Sequence, residues 1–287
     1  MCSTCGCSSN ENGITLTKMG ENHHTHHHHD GHTHSHEHHH GEHSHEHHHE
    51  HGHEHDHNHD HEHHHHHHSH DVNIVELEKD ILHQNQLGAE RNRGFFDALN
   101  IFAMNLVSSP GSGKTSLLEK TIADLKEEIE FSVIEGDQQT TNDAARIHAL
   151  NVPVLQINTG KGCHLDSEMI AKSLKELKPK QNSILMIENV GNLVCPAMFD
   201  LGENQRVVII STTEGEDKPL KYPDMFHSSN ICIINKIDLL PYLKFDLEKL
   251  KENAQKVNPN ITFFEVSATS GEGMEAWYQF LKSKVKS

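Results

Sequence analysis

The sequence lacks the long apolar runs of a membrane protein, and it is poor in aromatic and basic residues. Only 5% of its 287 residues are aromatic, and no stretch reaches the about 18 consecutive apolar residues of a spanning helix. The 24 Lys and Arg are outnumbered by 42 Asp and Glu, for a formal charge of −18. Because no stripe of basic residues is present, a surface for duplex nucleic acid is not expected. The sequence predicts neither a membrane span nor a nucleic-acid partner.

Cysteine is too sparse for a disulfide framework. The chain has six cysteines, and three of them fall within the first seven residues. The opening residues contain neither the basic region nor the apolar region that is typical of a secretory signal. We therefore expect a cytoplasmic protein whose thiols are reduced and available to metal ions.

Histidine is the residue in excess. Residues 23–70 hold 30 of the 34 histidines together with nine carboxylates, and they contain no Lys or Arg. Such a segment buries too little apolar surface to offset its ordering entropy, so we expect it to be disordered. Neutral imidazoles bind Ni²⁺, Cu²⁺ and Zn²⁺, which indicates a nickel store; a solubilising repeat is the alternative. The predicted division is a Cys-containing metal-binding head (1–22), the His-rich tract (23–70) and a globular domain (71–287).

Helical periodicity begins at Asp71. Apolar residues are spaced for one face of an amphipathic helix, with charged residues opposite. The residues of the predicted apolar face are Val72, Val75, Leu77, Ile81, Leu82 and Leu87.

After Leu99, apolar segments of strand length alternate with helical patterns. Continuous apolar strands separated by helices are typical of a mostly parallel sheet that is covered on both faces. The predicted strands are Ile101–Val107, Phe131–Glu135, Val154–Ile157, Ser183–Ile187, Arg206–Ser211, Ile231–Ile234 and Ile261–Val266. The predicted helices are Thr115–Ile129, Leu165–Leu177, Asp246–Val257 and Gly273–Val285. We expect a doubly wound α/β domain with its ligands at the carboxyl ends of the strands.

The loop after the first of these strands has the pattern of a phosphate-binding loop. Residues 108–115 read S-S-P-G-S-G-K-T between a strand and a helix, although the usual pattern opens with Gly rather than Ser108. Glycines let backbone amides converge on phosphate oxygens, Lys114 reaches the β- and γ-phosphates, and the Thr115 hydroxyl binds Mg²⁺. The predicted phosphate-binding residues are Gly111, Ser112, Gly113, Lys114, Thr115 and Ser116.

A second motif predicts that the base is guanine. Asn235, Lys236 and Asp238 form an N-K-x-D sequence after an apolar strand, which resembles the motif of GTPases. Its carboxylate accepts two hydrogen bonds from guanine that adenine does not offer. Ser267 and Ala268 match the loop that supports the base, so we predict binding of GTP and GDP.

Two strand ends carry carboxylates that face the expected Mg²⁺–nucleotide. Asp137 ends one strand, and Glu188 opens an E-x-x-G sequence resembling the D-x-x-G switch of GTPases. Our hypothesis is that both hold Mg²⁺ or its waters and that one orients the attacking water. With Lys114 they form the predicted catalytic set; the alternative is that they only cap loops.

Two groups of soft ligands are candidate metal sites. Cys2, Cys5 and Cys7 can wrap one ion at little loop-closure cost, but thiolates alone do not distinguish Ni²⁺ from Zn²⁺. The alternative is a redox-prone tail without a metal.

The second group is Cys163 and His164 together with Cys195. Adjacent residues share an ion only in a loop, which the preceding Lys161-Gly162 favours. Cys195 lies seven residues after Glu188, in the segment expected to sense the γ-phosphate. We therefore predict a metal site that is tied mechanically to the nucleotide state.

Together these motifs resemble the HypB family of hydrogenase nickel-incorporation GTPases. The features that carry the resemblance are C-x-x-C-G-C at 2–7, the His-rich insert, N-R at 92–93 with F-F at 95–96, C-H at 163–164 and E-N-V-G-N-L-V-C-P at 188–196. The resemblance implies a GTP-hydrolysing metallochaperone for the large subunit of [NiFe]-hydrogenase, with a tight nickel site in the N-terminal cysteines and a weaker nickel or zinc site at Cys163, His164 and Cys195. It also implies a homodimer that forms on nucleotide binding and a HypA-type zinc chaperone as partner.

Two other interpretations remain open at this point. A urease-accessory GTPase has the same fold, delivers nickel and also has a His-rich head in some members; the Cys-rich head and the N-L-V-C-P run favour hydrogenase. The second interpretation is a nickel store whose nucleotide-binding domain binds GTP without hydrolysing it. A measurement of GTP turnover distinguishes this protein from a GTPase.

Overall fold

A computed structural model describes residues 15–19, 70–137 and 142–285, except the side chains of 70–75 and 142. Cys2, Cys5, Cys7 and residues 23–69 of the His-rich tract lie outside this part of the chain. The strands are β1 (Thr15–Lys18), β2 (Phe102–Ser108), β3 (Phe131–Asp137), β4 (Val154–Asn158), β5 (Ile184–Glu188), β6 (Gln205–Ser211), β7 (Ile231–Asn235) and β8 (Thr262–Glu265). The α-helices are α1 (His70–Ala98), α2 (Lys114–Leu125), α3 (Asn142–His148), α4 (Ser167–Leu177), α5 (Lys218–Lys221), α6 (Pro223–Ser228), α7 (Leu247–Val257) and α8 (Met274–Lys282).

The strands form one sheet in the order β1-β4-β3-β5-β2-β6-β7-β8. Every pairing is parallel except that of β1 with β4, which is antiparallel. The strand order reverses at β2, which has β5 on one side and β6 on the other. The predicted doubly wound α/β fold is confirmed, and the carboxyl ends of its parallel strands meet at one edge.

Alternate residues of the strands point into separate apolar clusters. On β2, Met104 and Leu106 pack with helices α2 and α8, whereas Ala103 packs with α1 and α4. Trp277 is buried in the first cluster, where its indole N–H donates to Thr121 Oγ1 at 3.0 Å. Burial on both faces is why these strands read as continuous apolar runs.

Most predicted element ends shift by one or two residues, and several elements were not predicted. No strand was predicted over Thr15–Lys18 and no helix over Asn142–His148. Two 3₁₀ turns, at Cys195–Met198 and Ile237–Tyr242, were not predicted either. The helix predicted over 115–129 ends earlier, at Leu125.

The predicted apolar face of α1 is wrong, although the helix itself is confirmed. Leu77 and Leu87 are 60% and 54% exposed. The buried face instead carries Asn85 and Asn92, whose amides donate to the carbonyls of Asp200 (2.8 Å) and Leu201 (3.0 Å). Polar side chains face inward because the loop they cover presents carbonyls that need donors.

No helix within the described residues combines the length and the apolar content that crossing a membrane requires.

Candidate nucleotide and metal site

The loop between β2 and α2 has the backbone shape that phosphate binding requires. Gly111 and Gly113 have φ of 77° and 88°, in the left-handed region that favours glycine. A Cβ at Gly113 would lie 2.5 Å from Asn235 Nδ2, so the neighbouring loop also excludes a side chain there. Ser108 is the last residue of β2 and does not have a positive φ. This explains why Ser is accommodated at the position where the usual pattern has Gly.

Lys114 and Thr115 both bond to the carboxylate of Glu188. Glu188 Oε1 accepts from Lys114 Nζ at 2.9 Å and from the Thr115 hydroxyl at 2.7 Å. The pair is buried, with side-chain exposures of 11% for Lys114 and 2% for Glu188. The structure thus joins three predicted site residues at the end of β5, in the position expected for a group that interacts with Mg²⁺ and phosphate.

Glu135 is a buried carboxyl beside this group, and it was not among the predicted site residues. In the β3–β5 register it is the partner of Glu188. Burial, then the charges of Glu188 and Asp137, raises the pKa of Glu135 to about 8. The Oε2 atoms of Glu135 and Glu188 are buried without a hydrogen-bond partner among the described residues. Such a set of oxygens fits a hard divalent cation such as Mg²⁺, which takes carboxylate ligands.

Asp137 lies at the end of β3 and lines the same cavity of about 580 Å³ as the phosphate-binding loop. Its carbonyl accepts from the Thr159 N–H at 2.9 Å, which fixes the end of β3 to the end of β4. Asp143 and Arg146, on the unpredicted helix α3, line this cavity too.

The predicted base-binding residues form one hydrogen-bonded unit with the phosphate loop. Asn235 Nδ2 donates to the Ser112 carbonyl at 3.0 Å, and its Oδ1 accepts from the Ala268 N–H at 3.1 Å. Lys236 Nζ donates to the Gly111 carbonyl at 2.8 Å. Asp238 follows on the 3₁₀ turn Ile237–Tyr242, and its Oδ1 atom is buried without a hydrogen-bond partner among the described residues.

Ser267 orders the end of that loop. It is fully buried, and its Oγ accepts from the Ser270 N–H at 3.0 Å. Ser116 lines the cavity at the start of α2.

Glu214 and Lys218, which follow β6, also contact the phosphate loop and were not among the predicted site residues. Glu214 Oε1 accepts from the Ser112 hydroxyl at 2.9 Å. Lys218 Nζ lies 3.0 Å from Glu214 Oε2 and donates to Ser109 Oγ at 3.2 Å. No local motif marks them, since the contact joins residues about a hundred positions apart.

Cys163, His164 and Cys195 come together at the same edge of the sheet. One ligand atom from each lies within 4.8 Å of the others, and Cys163 Sγ is 3.8 Å from His164 Nδ1. Ligands of a tetrahedral ion with bonds near 2.3 Å are about 3.5–3.8 Å apart, so the spacing fits a transition metal. Within the described part of the chain, this is the one such group of three side chains.

His164 is held in the form that binds metals. Its ring stacks on Phe199, with centroids 3.8 Å apart and planes at 20°. Burial lowers the pKa of His164 more than the nearby Asp166 raises it. The lowered pKa favours the neutral imidazole, which is the form that binds a metal ion.

A short segment connects the two sites. After Glu188, the fully buried Asn189 accepts from the N–H groups of Leu165 (3.2 Å) and Val190 (2.9 Å). Its own amide donates to Asn105 Oδ1 on β2 at 3.2 Å. Because Leu165 directly follows His164, Asn189 joins the strand end that contacts Lys114 to the loop that carries the metal ligands.

The same segment touches the phosphate loop from the other side. A Cβ at Gly191 would meet Pro110 at 3.3–3.4 Å, so the two backbones are in close approach. Four residues later the chain reaches Cys195, at the start of a 3₁₀ turn. Cys232, in contrast, is buried in β7 and its pKa is raised by burial, as expected of a core residue.

Comparisons with known proteins place these features in a family. The family described as "CobW/HypB/UreG, nucleotide-binding domain" matches residues 102–265. The hydrogenase maturation factor HypB of Rhizobium leguminosarum bv. viciae is 57% identical over 209 residues, which covers 73% of this chain and 70% of that protein.

Two crystal structures are similar over most of the described part of the chain. HypB from Archaeoglobus fulgidus is 38% identical with a TM-score of 0.66, covering 71% of this chain and 99% of that one. HypB from Helicobacter pylori in complex with nickel is 39% identical with a TM-score of 0.65, covering 70% of this chain and 94% of that one.

Proposed function

Because this chain belongs to the HypB family of hydrogenase maturation factors, we propose that it hydrolyses GTP to control the delivery of nickel to the large subunit of a [NiFe]-hydrogenase. The proposal is supported mainly by the contacts of one segment, from Glu188 to Cys195. This segment contacts the phosphate loop at one end and carries a candidate metal ligand, Cys195, at the other.

The nucleotide half of the proposal assigns roles to the residues around the large cavity. Gly111–Ser116 line the cavity and bind the phosphates, and the carboxylate of Asp238, in the N-K-x-D motif after β7, selects guanine. Mg²⁺ would be held by Thr115, Glu188 and Asp137, and it would neutralise charge on the phosphate oxygens. Lys114 stabilises the negative charge that develops during hydrolysis.

Glu188 gives the nucleotide a way to act on the metal site. Phosphate oxygens compete with Glu188 for Lys114, so nucleotide binding changes the bonding of this carboxylate. A shift at Glu188 passes to Asn189 and then to the Leu165 N–H. The metal loop thereby has two arrangements that GTP and GDP favour differently, which is the requirement for thermodynamic coupling.

Nickel is the cargo, and Zn²⁺ competes for the same ligands. Cys163, His164 and Cys195 supply two soft donors and a neutral imidazole, which bind either ion. We propose that Cys2, Cys5 and Cys7 form a second, tighter nickel site in the 1–22 head and that the tract 23–70 stores nickel ahead of the 71–287 domain. A homodimer formed on GTP binding and a HypA-type chaperone complete the proposed pathway.

The test is nickel affinity in two nucleotide states. In full-length protein whose N-terminal thiols are replaced by Ser, nickel binding at Cys163 and Cys195 is followed by nickel–thiolate absorption, which the His-rich tract does not give, with GDP and with a non-hydrolysable GTP analogue. We expect affinities that differ several-fold. Equal affinities, or an absence of phosphate release from GTP, would remove the support for a nucleotide-controlled chaperone.

A further inference from the structure

The candidate metal ligands lie on two loops, and helix α1 contacts both of them. Cys163 and His164 are on the loop that leads to Ser167, the first residue of α4. Cys195 is on the loop that leads to Asp200. Because these two metal-binding loops are distant in the sequence, their separation in space depends on side chains that contact both.

Asn85 of α1 makes the first contact of this kind. Its Nδ2 donates to the Asp200 carbonyl at 2.8 Å, and its Oδ1 accepts from the Ser167 N–H at 2.9 Å. Its own carbonyl accepts from the Ser167 hydroxyl at 2.8 Å. One buried residue thus joins the start of α4 to the loop that carries Cys195.

Asn92 makes a second contact, seven residues further along the same face of the helix. Its Nδ2 donates to the Ser167 carbonyl at 2.8 Å and to the Leu201 carbonyl at 3.0 Å, so both amide hydrogens are used. The adjacent Arg93 donates to both carboxylate oxygens of Asp200, at 3.2 and 2.9 Å. The N-R sequence at 92–93, which takes no part in the nucleotide site, is explained by these contacts.

The backbone of α1 is also in close approach to both loops. A Cβ at Gly202, where φ is 89°, would lie 2.5 Å from the Ala89 carbonyl oxygen of the helix. A Cβ at Gly88 of the helix would lie 3.1 Å from the Ser167 Cβ. Neither position has space for a side chain, so the position of α1 fixes the distance between the two loops.

The loop ends that α1 holds are joined closely to the metal ligands. After Cys195 the chain forms a 3₁₀ turn that leads to Phe199, and Phe199 stacks on the His164 ring with centroids 3.8 Å apart. On the other loop, Asp166 caps α4 by accepting from the Met169 N–H at 2.8 Å. A binding site needs its ligands held to within about 0.5 Å, so a change in the position of α1 alters the metal site.

We propose that Asn85 and Asn92 are positioning residues, through which α1 sets the separation of the two metal-binding loops. The inference rests on the proposed function for the identity of the ion as nickel, but the spacing of the thiols can be measured without it. Helix α1 ends before residue 102, where the match to the nucleotide-binding domain of the family begins. The metal site therefore depends on a part of the chain outside that domain.

The proposal is tested with Asn85→Ala and Asn92→Ala in full-length protein whose N-terminal thiols are replaced by Ser. Asn253→Ala is the matched control, because Asn253 is also a buried asparagine on a helix. Its amide donates to the Glu216 carbonyl at 2.9 Å rather than to either metal-binding loop. Urea unfolding reports the stability of all three variants, so that losses of stability and of metal binding are compared directly.

Nickel binding is followed by nickel–thiolate absorption. We expect each α1 variant to bind nickel at least about tenfold more weakly, and to absorb less per chain at saturation, because the two thiolates no longer reach one ion together. Asn253→Ala changes neither quantity. Affinity and absorption equal to those of this control would overturn the proposal. Each α1 variant keeps the other asparagine, so Asn85→Ala gives the same test if Asn92→Ala does not fold.

A second measurement uses neither nickel nor nucleotide. Phenylarsine oxide bridges two neighbouring thiols, since two As–S bonds form, both thiol protons are lost and water leaves. Cys163 and Cys195 are such a pair, with sulfur atoms within 4.8 Å, whereas Cys232 is fully buried in β7.

We expect the α1 variants to retain this arsenical at least about tenfold less well against a competing dithiol, because the second As–S bond is intramolecular only while the sulfurs are close. Retention equal to that of Asn253→Ala would overturn the positioning role. If no protein in the set binds nickel but retention still falls in the α1 variants, the proposed function fails and the positioning role stands.

Discussion

Replacing Asn189 by Ala tests the connection between the nucleotide and the metal loop. The side chain is fully buried and accepts two backbone N–H bonds, from Leu165 at 3.2 Å and Val190 at 2.9 Å. Leaving a buried donor unpaired costs about 1–3 kcal/mol, so two donors cost about 2–6 kcal/mol of unfolding free energy. The metal ligands and Lys114 are not touched by the substitution.

The functional effect of this substitution differs from the effect on stability. We expect nickel affinity in the absence of nucleotide to stay within about threefold of the unmodified chain, because all three ligands remain. The ratio of affinities with GDP and with the GTP analogue falls towards one, because the Leu165 N–H no longer follows Glu188. Titration followed by nickel–thiolate absorption in the two nucleotide states, with the N-terminal thiols replaced by Ser, measures the affinity ratio, and urea unfolding measures the stability.

Asn192→Ala is the matched control in the same segment. Asn192 accepts a single bond, from the Val194 N–H at 2.7 Å, at an exposed position. We expect a stability loss below about 1 kcal/mol and an unchanged affinity ratio. If Asn189→Ala keeps the affinity ratio of the unmodified protein, the proposed path between the sites is refuted.

Three further predictions concern individual side chains. The pKa of Glu135 is raised from 4.5 to about 8, so its carboxyl destabilises the fold as pH rises between these values. Without divalent cations, we therefore expect the unfolding free energy of Glu135→Gln, relative to that of the unmodified chain, to increase by about 3–5 kcal/mol from pH 4.5 to 8.5. If urea unfolding gives the same pH dependence for both proteins, this prediction is wrong. Asp238→Asn weakens GDP binding at least 100-fold and shifts preference towards xanthine nucleotides, measured by competition with a fluorescent analogue. Cys195→Ser, with the N-terminal thiols also replaced by Ser, weakens the nickel binding seen by nickel–thiolate absorption at least about 10-fold, and retention of full affinity in this signal shows that Cys195 is not a ligand.

The parts of the site that the sequence predicts are those whose chemistry is local. The phosphate loop and the guanine motif each occupy fewer than ten consecutive residues, and each follows an apolar strand. In a parallel sheet all such strand ends meet at one edge, so the motifs locate the site once the strands are identified. Cys163 and Cys195 were placed together on the same reasoning, and the structure brings their sulfur atoms close.

The parts that the sequence does not predict depend on partners distant in the chain. Strand β1 is only four residues long, between a Cys-rich and a His-rich segment, and it exists because β4 presents an open edge. The spacing of apolar residues predicted the wrong buried face for α1. Asn85 and Asn92 lie on the buried face because their amides donate to backbone carbonyls more than seventy residues away. Hydrophobic periodicity does not report such contacts, because it treats an amide as a surface residue.

Asn189 shows why coupling between two sites is harder to predict than either site. The sequence shows only that Asn189 follows Glu188, the carboxylate of the E-x-x-G motif. Its proposed role depends on its hydrogen bond to Leu165, which belongs to a different loop. The side chain of Asn189 accepts a hydrogen bond from the Leu165 N–H, while its backbone continues the segment after Glu188. A displacement of this segment therefore also displaces the loop of Leu165. The strand end that contacts Lys114 and the loop that carries Cys163 and His164 are therefore held together by one side chain, and we expect nickel affinity to depend on the nucleotide only while this amide is present.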